Sequence, residues 1–262
     1  MPQANATVKI IGVDMFVGSN TDFTASLIET VNEKESFQKN RLISATSAHG
    51  MVFSNQNAEF KKIISAFYLN LPDGQPTAWI GRLKGFKKMQ RCPGVGLFDT
   101  VIRNTSTHSI QHFFCGGKEG IAMALKESVA KDLGNKNVVG TYSPPFRPMN
   151  ETEFEALGDM INASGANIVW IGLGTPKQEK FAYTLSKYCN VDYIITVGAV
   201  FDFFTGNLPY APLWIRNLGL EWLYRLIKEP RRLFGRYIVI VPAFIWLNLK
   251  EFIYELDVPV IV

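Results

Sequence analysis

The chain has 262 residues, a formal net charge of +4 and a hydrophobic content of 47%. This length fits one large domain or two small ones, and the apolar content is that of an ordinary globular protein. The charge gives no argument for nucleic-acid binding, because the basic residues are spread along the chain except near the C-terminus. Three cysteines without metal or redox spacing are typical of reduced thiols in a cytoplasmic protein: Cys92, Cys115 and Cys189.

Strand patterns alternate with helical spacing through the first 206 residues. This alternation predicts an α/β fold with a Rossmann-like, mostly parallel sheet flanked by helices. The predicted strands cover 8–13, 41–46, a segment ending at Pro72, 109–115, 137–141, 167–172 and 193–198. The predicted helices cover 21–33, a short stretch from about 48, 59–69, a stretch from about 76, 116–131, 149–162 (with Asn150 and Glu153 in capping-box spacing) and a stretch after Pro176.

Two predicted strands are followed by glycine turns that open helices, at Gly116-Gly117 and at Gly174. Ligands bind at the carboxyl ends of strands in open α/β sheets, and helix N-termini favour anions. Tight turns also use glycine for purely steric reasons, so both interpretations stay open. Glu179 is either a helix cap or a ligand contact, whereas Gln178 has no evident capping role.

Asp73 lies in a Pro-Asp-Gly turn, where an aspartate is usually only a cap. A carboxylate at the end of a strand is also suited to accept a proton from a hydroxyl. Asp202 follows another strand end, where it either binds a hydroxyl or caps the local turn.

After about Gly206 the strand patterns stop, and Trp, Tyr, Arg and Pro dominate. We therefore expect a core over 1–206 and a helical C-terminal appendage over 207–262. Arg225, Arg232 and Arg236 fall near one helical face with Lys228, interrupted by Pro230. Such a face is either solvated or meets anionic lipid headgroups. The opposite side suits burial or insertion at a bilayer surface: Trp222, Leu223, Leu226, Ile227, Leu233 and Phe234.

No stretch of the sequence has the length and apolar composition expected of a membrane-spanning helix. The most apolar one, 237–249, is shorter than the ~20 residues needed and contains Pro242. The N-terminus lacks the order of a signal peptide. These patterns predict no spanning helix and allow a helix that lies on a membrane surface.

Several ordered motifs resemble those of the WecG/TagA/CpsF family of bacterial glycosyltransferases. They are Gly-Leu-Gly-Thr-Pro-Lys-Gln-Glu (172–179), Gly-Ala-Val-Phe-Asp-Phe (198–203), Ala-Pro-Leu-Trp-Ile-Arg (211–216) and Glu-Trp-Leu-Tyr-Arg-Leu-Ile-Lys-Glu-Pro-Arg-Arg (221–232). The resemblance covers most of the chain. It departs from the family at Ala45 and Ser47, where a Thr-x-Asn is common, and at Gly96, where an aspartate is common.

The resemblance implies an inverting glycosyltransferase that needs neither a metal nor a cofactor. It would move a sugar from a UDP-sugar to an undecaprenyl-diphosphate-linked saccharide of a surface polysaccharide, peripherally bound to the cytoplasmic face of the cell membrane. Asp73 matches the proposed catalytic base, and Arg91 matches a family arginine that would clamp phosphate or sugar. The substrate and nucleotide contacts would be Thr46, Ser47, Arg91, Gly116, Gly117, Gly174, Gln178, Glu179, Asp202, Arg225, Arg232 and Arg236.

The absence of an Asp-x-Asp pair agrees with a metal-independent route, and the three histidines, His49, His108 and His112, lack ligand spacing. Two other functions stay open. An NAD-dependent oxidoreductase would fit the sheet, although Gly-x-Gly-x-x-Gly does not follow the first strand. A non-catalytic membrane-surface scaffold would use only the basic appendage. The sequence leaves open the donor sugar, the acceptor glycan and assembly into a homo-oligomer.

Overall fold

The computed structural model describes residues 6–33 and 39–257, without the side chains of 213, 217, 232 and 255–257. The described strands are β1 (Thr7–Ile10), β2 (Val13–Phe16), β3 (Arg41–Thr46), β4 (Leu69–Pro72), β5 (His112–Gly116), β6 (Val138–Tyr142), β7 (Ile168–Gly172) and β8 (Tyr193–Thr196). The described helices are α1 (Asn20–Glu33), α2 (Ala48–Gln56), α3 (Ala58–Ser65), α4 (Gln75–Leu83), α5 (Gly94–Asn104), α6 (Ile121–Asp132), α7 (Glu151–Ser164), α8 (Lys177–Leu185), α9 (Val200–Phe204), α10 (Leu213–Asn217), α11 (Glu221–Lys228) and α12 (Pro230–Asp257).

The eight strands form one sheet in the order β1-β2-β4-β3-β8-β7-β5-β6. Every pairing is parallel except that of β1 with β2. Parallel strands need crossover connections, and the intervening helices cover both faces of the sheet. The structure therefore confirms the predicted α/β, Rossmann-like architecture with a helical C-terminal segment.

The hydrophobic core lies on both faces of the sheet. Successive residues of a strand point to opposite faces. In β7 this alternation places Val169 and Ile171 in one buried cluster and Ile168 and Trp170 in the other. Strand β7 is buried on both sides and is a continuous apolar run in the sequence, and this is why it was predicted well. Strand β3 is also buried, but its apolar residues alternate with the buried polar residues Ser44 and Thr46.

The predicted single strand over 8–13 is wrong, because the chain forms a hairpin there. Ile10 pairs with Val13, so the turn consists of two residues, and both have positive φ: 40° at Ile11 and 78° at Gly12. Two-residue turns of this kind match the twist of antiparallel strands. Asn55 donates to the Ile11 carbonyl at 2.7 Å, and Glu251 accepts from its N–H at 2.9 Å. The apolar run concealed the turn.

Helix α5 was absent from the predicted elements. Its buried residues recur at helical spacing and face the sheet: Leu97, Phe98, Val101 and Ile102. The capping box predicted at Asn150 is confirmed, since Asn150 and Glu153 each accept from the other's backbone N–H at 2.9 Å.

The expectation that no stretch is long and apolar enough to span a membrane is also wrong. Within α12, the 22 residues Leu233–Tyr254 are long and apolar enough to cross a membrane by length and composition. The helix continues through Pro242, which the sequence analysis had treated as an interruption. Only 17% of the most apolar window is buried inside the protein. Its buried residues Ile240 and Phe244 join the core cluster that includes Met51 and Val52 of α2.

Candidate active site

Four strands bring their carboxyl ends to the same edge of the sheet. Ser47 directly follows β3, Asp73 follows β4, Gly174 follows β7 and Gly198 follows β8. A cavity of about 1170 Å³ opens at this edge, and helices α11 and α12 line its other side. This is where ligands bind in open α/β sheets.

Asp73 is held at this edge by the backbone of two other elements. Its N–H donates to the carbonyl of Thr46 at 3.2 Å, and its Oδ1 accepts from the N–H of Gly94 at 3.0 Å. Gly94 is the first residue of α5, so the positive end of a helix faces the carboxylate. A Cβ at Gly94 would lie 2.9 Å from the carbonyl oxygen of Val197, so this close approach requires glycine.

The pKa of Asp73 is raised above its ordinary value near 3.8, and burial is the largest cause. The charge of Glu221 raises this pKa further, whereas Arg91, the N–H of Gly94 and Arg225 lower it. A carboxylate whose pKa is moved toward neutrality is a stronger base than an ordinary aspartate. Burial and charge thus prepare Asp73 to accept a proton.

Arg91 joins the Asp73 turn to the C-terminal helices. Its Nε donates to the backbone carbonyl of Asp73 at 2.9 Å. One terminal nitrogen donates to the carboxylate of Glu221, and the other donates to the carbonyl of Arg216 at 3.4 Å. The planar guanidinium suits three acceptors in one plane. Arg91 therefore lines the cavity and fixes α10 and α11 beside the carboxyl edge of the sheet.

Two of the three predicted C-terminal arginines line the cavity. Arg225 and Arg236 both contribute to its wall. The Nε of Arg225 is buried without a hydrogen-bond partner among the described residues, and its guanidinium lies 5.8 Å from the ring centroid of Phe203. Burial and the charge of Arg236 lower the pKa of His49 to about 4. The side chain of Arg232 lies outside the described residues.

Gln178 connects the turns that follow β7 and β8. Its Oε1 accepts from the N–H of Gly174 at 3.1 Å and from the N–H of Gly198 at 2.9 Å. Glu179 holds Gln178 in place. The Oε1 of Glu179 accepts from Gln178 Nε2 at 3.1 Å and from Thr175 Oγ1 at 2.8 Å. Both side chains are buried, but only Gln178 lines the cavity. Burial raises the pKa of Glu179.

The remaining predicted residues divide between the cavity wall and its surroundings. Ser47 and Gly174 line the cavity. Thr46 is buried beneath the wall and lies 3.2 Å from the side-chain oxygen of Asn70.

Gly116 and Gly117 do not line this cavity. A Cβ at Gly116 would lie 2.6 Å from the carbonyl oxygen of Gly172, and one at Gly117 would lie 2.6 Å from the side chain of Ile121. Both positions thus have a steric reason for glycine. Asp202 also lies outside the cavity wall, and its backbone carbonyl accepts from the N–H of Leu208 at 3.1 Å.

The wall includes residues that the sequence analysis did not assign to a site. Asn248 is the most unusual, because it is buried in an apolar helix and its Oδ1 has no partner among the described residues. Helical spacing alone gives no sign that these positions face a cavity. The wall residues that were not assigned to a site from the sequence include His49, Trp79, Leu83, Gly94, Lys177, Tyr237 and Asn248.

No group of three or more His, Cys, Asp or Glu side chains is placed to hold a metal ion in the described ranges 6–33 and 39–257. His112 is engaged in the core, where its Nδ1 accepts from Trp170 Nε1 at 3.1 Å and its Nε2 lies 2.8 Å from Thr105 Oγ1. Metal independence stays a prediction.

The fold and the cavity define an α/β protein in which a carboxylate and arginines line one cavity at the carboxyl edge of a mostly parallel sheet. The model of the glycosyl transferase WecG/TagA/CpsF family matches residues 8–256. The chain belongs to this family, and the match supports a glycosyltransferase role.

Proposed function

We propose that this protein is an inverting glycosyltransferase that moves a sugar from a UDP-sugar to an undecaprenyl-diphosphate-linked saccharide in surface polysaccharide synthesis. Membership of the family supports a sugar donor and a lipid-linked acceptor in general terms. The observation that carries the proposal is the position of Asp73 in the same cavity as Arg225 and Arg236.

In this proposal Asp73 acts on the acceptor. Its carboxylate accepts the proton of a sugar hydroxyl while the hydroxyl oxygen forms a bond to the anomeric carbon of the donor. The bond between that carbon and the diphosphate oxygen breaks, and UDP leaves with the electron pair. Attack from the face opposite the diphosphate inverts the anomeric centre.

The arginines act on the leaving diphosphate. Arg225 and Arg236 approach the cavity from α11 and α12, and positive groups aimed at developing charge lower the barrier. The unpartnered Nε of Arg225 supports this role, because a buried donor without an acceptor is costly and a phosphate oxygen would satisfy it. The charge is thus neutralised without a metal ion.

We keep Ser47, Arg91, Gly174 and Gln178 as contacts of the sugar or the nucleotide, since all four line the cavity. The predicted residues outside the wall receive supporting roles in this proposal. Thr46 and Glu179 hold the cavity wall, and Gly116 and Gly117 shape a neighbouring turn. Asp202 lies within α9, and its carbonyl accepts from the N–H of Leu208.

We further propose that the C-terminal helices attach the enzyme peripherally to the inner face of the cell membrane. Trp222 and Ile227 of α11 and Phe234 of α12 are exposed, so the apolar side of this segment is largely unburied. Lys228 and Arg231 are exposed beside them. An exposed apolar face flanked by cations is typical of helices that lie in an anionic membrane surface.

A donor screen tests this function. UDP release is measured with each of several UDP-sugars, with and without a polyprenyl-diphosphate-linked saccharide. We expect release that depends on both substrates. Tight binding of NADH with no binding of UDP would favour an oxidoreductase, and binding to anionic vesicles without UDP release for any donor would favour the scaffold.

A further inference from the structure

The cavity extends well beyond the catalytic edge along α4 and α12. Its walls there are formed by Trp79 and Leu83 from α4 and by Val241, Ile245, Leu249 and Phe252 from α12. We call this part the apolar arm. It runs along α12 from Val241 to Phe252, which is roughly 16 Å at the helical rise of about 1.5 Å per residue.

The polar and apolar parts of the cavity are ordered along α12. Arg236 and Tyr237 lie near the beginning of the helix, and the apolar arm follows toward its end. The cavity therefore has cationic residues at one end of α12 and a long apolar wall at the other. The total volume of about 1170 Å³ exceeds the usual ~300–1000 Å³ of a single small-molecule pocket, so there is room for two substrates.

The structure holds the two walls of the arm together at its far end. Lys84, which caps α4, pairs with Glu251 of α12 at 3.1 Å, and both side chains are largely buried. The same Lys84 ammonium lies 5.5 Å from the ring centroid of Phe252. The spacing between α4 and α12 is thus fixed by contacts that lie outside the catalytic edge.

We propose that the apolar arm binds the isoprenoid chain of the acceptor next to its diphosphate. This inference rests on the proposed function, in which the acceptor is lipid-linked. When the acceptor sugar lies at Asp73 and the donor diphosphate at Arg225 and Arg236, the arm is the part of the cavity that remains for the isoprenoid chain. Several exposed apolar side chains line the arm, and a hydrocarbon chain would remove them from water.

The arm is distinct from the surface of α12 that faces away from the protein. Ile238, Val239, Trp246 and Ile253 are exposed and do not line the cavity. We assign that outer face to the bilayer and the arm to one substrate molecule. The two roles are separable, because substitutions on either face leave the other face intact.

The test compares two acceptors in dilute solution without vesicles. Both carry the same saccharide and diphosphate, but one has a chain of several isoprene units and the other a short alkyl group. The variants are Leu83→Ser and Leu249→Ser in the arm and Ile253→Ser on the outer face. Leu249 and Ile253 are 53% and 57% exposed, so the control matches in size, helix and exposure.

We expect the wild-type protein to have a higher kcat/KM for the long-chain acceptor. Each arm variant lowers the ratio of long-chain to short-chain kcat/KM by about fivefold, because it removes apolar contact with the chain. Ile253→Ser keeps the wild-type ratio. Circular dichroism shows whether each variant is folded. Because Leu83 and Leu249 lie on separate helices, the same loss in both folded variants indicates lost contact with the chain.

Three results overturn the inference in recognisable ways. If the wild-type protein transfers sugar to both acceptors with a kcat/KM ratio near one, the proposed function stands but the arm does not bind the isoprenoid chain. If Ile253→Ser and Leu249→Ser lower the ratio of long-chain to short-chain kcat/KM equally, the preference for the long chain comes from general surface hydrophobicity and not from the arm. Failure of the wild-type protein to transfer sugar to either acceptor removes the proposed function and the arm with it.

Discussion

Glu221, the first residue of α11, pairs with Arg91, whose guanidinium also holds the backbone carbonyl of Asp73. The ion pair is largely shielded from solvent, since each side chain is less than one-fifth exposed. The Asp73 turn and the C-terminal helices are thus joined through one arginine. The position of Arg225, which lies on the same short helix as Glu221, depends on this contact.

The first prediction concerns this link. Glu221→Ala leaves a partly buried guanidinium without its acceptor, so we expect a loss of about 1–3 kcal/mol in the interaction between the core and the C-terminal helices. Hydrogen exchange should therefore rise in α10 and α11, with the central strands unchanged. Glu59→Ala on α3, which removes an exposed ion pair with Lys180, serves as the control. Unchanged exchange in α11 would contradict the link.

The second prediction is a pH dependence with opposite signs in two variants. Asp73 works as a base only when it is deprotonated, so kcat/KM falls as pH falls through its pKa. Glu221→Gln removes a charge that raises this pKa, and the acid limb should move to lower pH. Arg225→Gln removes a charge that lowers it, and the limb should move to higher pH. Limbs that move in the same direction would contradict the assignment.

The third prediction separates the roles of Gln178 and Glu179. Because burial raises the pKa of Glu179 above its ordinary value near 4.5, charging this group costs folding free energy as pH rises from the unfolded pKa through the folded pKa. Glu179→Gln keeps an acceptor for Thr175 and Gln178 without that cost, so its stability should rise relative to the wild-type protein over this pH range. Urea unfolding at several pH values measures the difference. A variant that is less stable by the same amount at every pH would contradict this account.

Gln178→Ala removes the acceptor shared by the N–H groups of Gly174 and Gly198. Leaving such donors without a protein partner costs about 1–3 kcal/mol where water does not replace it. We expect lower stability together with a higher KM for the donor, because two turns of the cavity wall lose their connection. A change in stability with no change in KM would show that Gln178 is only structural.

The fourth prediction tests membrane attachment. Trp246→Ser removes a large exposed side chain from the outer face of α12 and should weaken sedimentation with anionic vesicles. Met123→Ser removes a half-exposed side chain from α6, away from the C-terminal helices, and should leave sedimentation with vesicles unchanged. Attachment should also weaken at high salt, because exposed cations contribute through screened interactions. Equal vesicle binding by both variants would contradict the role of α12.

The fifth prediction concerns metal ions. If Arg225 and Arg236 neutralise the leaving diphosphate, sugar transfer in excess EDTA should proceed at the rate measured with Mg²⁺. Removing Arg225 should lower kcat in both conditions. Loss of turnover in EDTA that Mg²⁺ restores would contradict the metal-independent route.

Much of the sheet was predictable because its central strands are buried on both faces. Ile168–Gly172 is a continuous apolar run followed by a glycine turn and helical spacing, which predicts a buried strand. Arg41–Thr46 is only partly apolar, but it is short and helical spacing also follows it. The N-terminal hairpin was missed because its turn depends on contacts with distant residues. Its turn at Ile11 is stabilised by Asn55 and Glu251, which are distant in the sequence.

The site was predictable only in part. Asp73 and Arg91 stand out through their motifs, but the partners that set their chemistry come from elsewhere in the chain. Gly94 reaches Asp73 from α5, and Glu221 reaches Arg91 from α11. The length of the apolar segment was underestimated because it was limited to 237–249, whereas α12 covers Pro230–Asp257 and continues through Pro242. Tertiary contacts of this kind leave no local signal in the sequence.

The rate of sugar transfer by Asp73→Asn tests the role of Asp73 as the base, with Asp159→Asn, an exposed position on α7, as the control. Asparagine keeps the size of the side chain and can still accept from Gly94, but it cannot accept the acceptor proton. We expect a folded Asp73→Asn protein with transfer reduced by about 10²–10⁴-fold and wild-type transfer by Asp159→Asn. Wild-type transfer by folded Asp73→Asn would contradict the account.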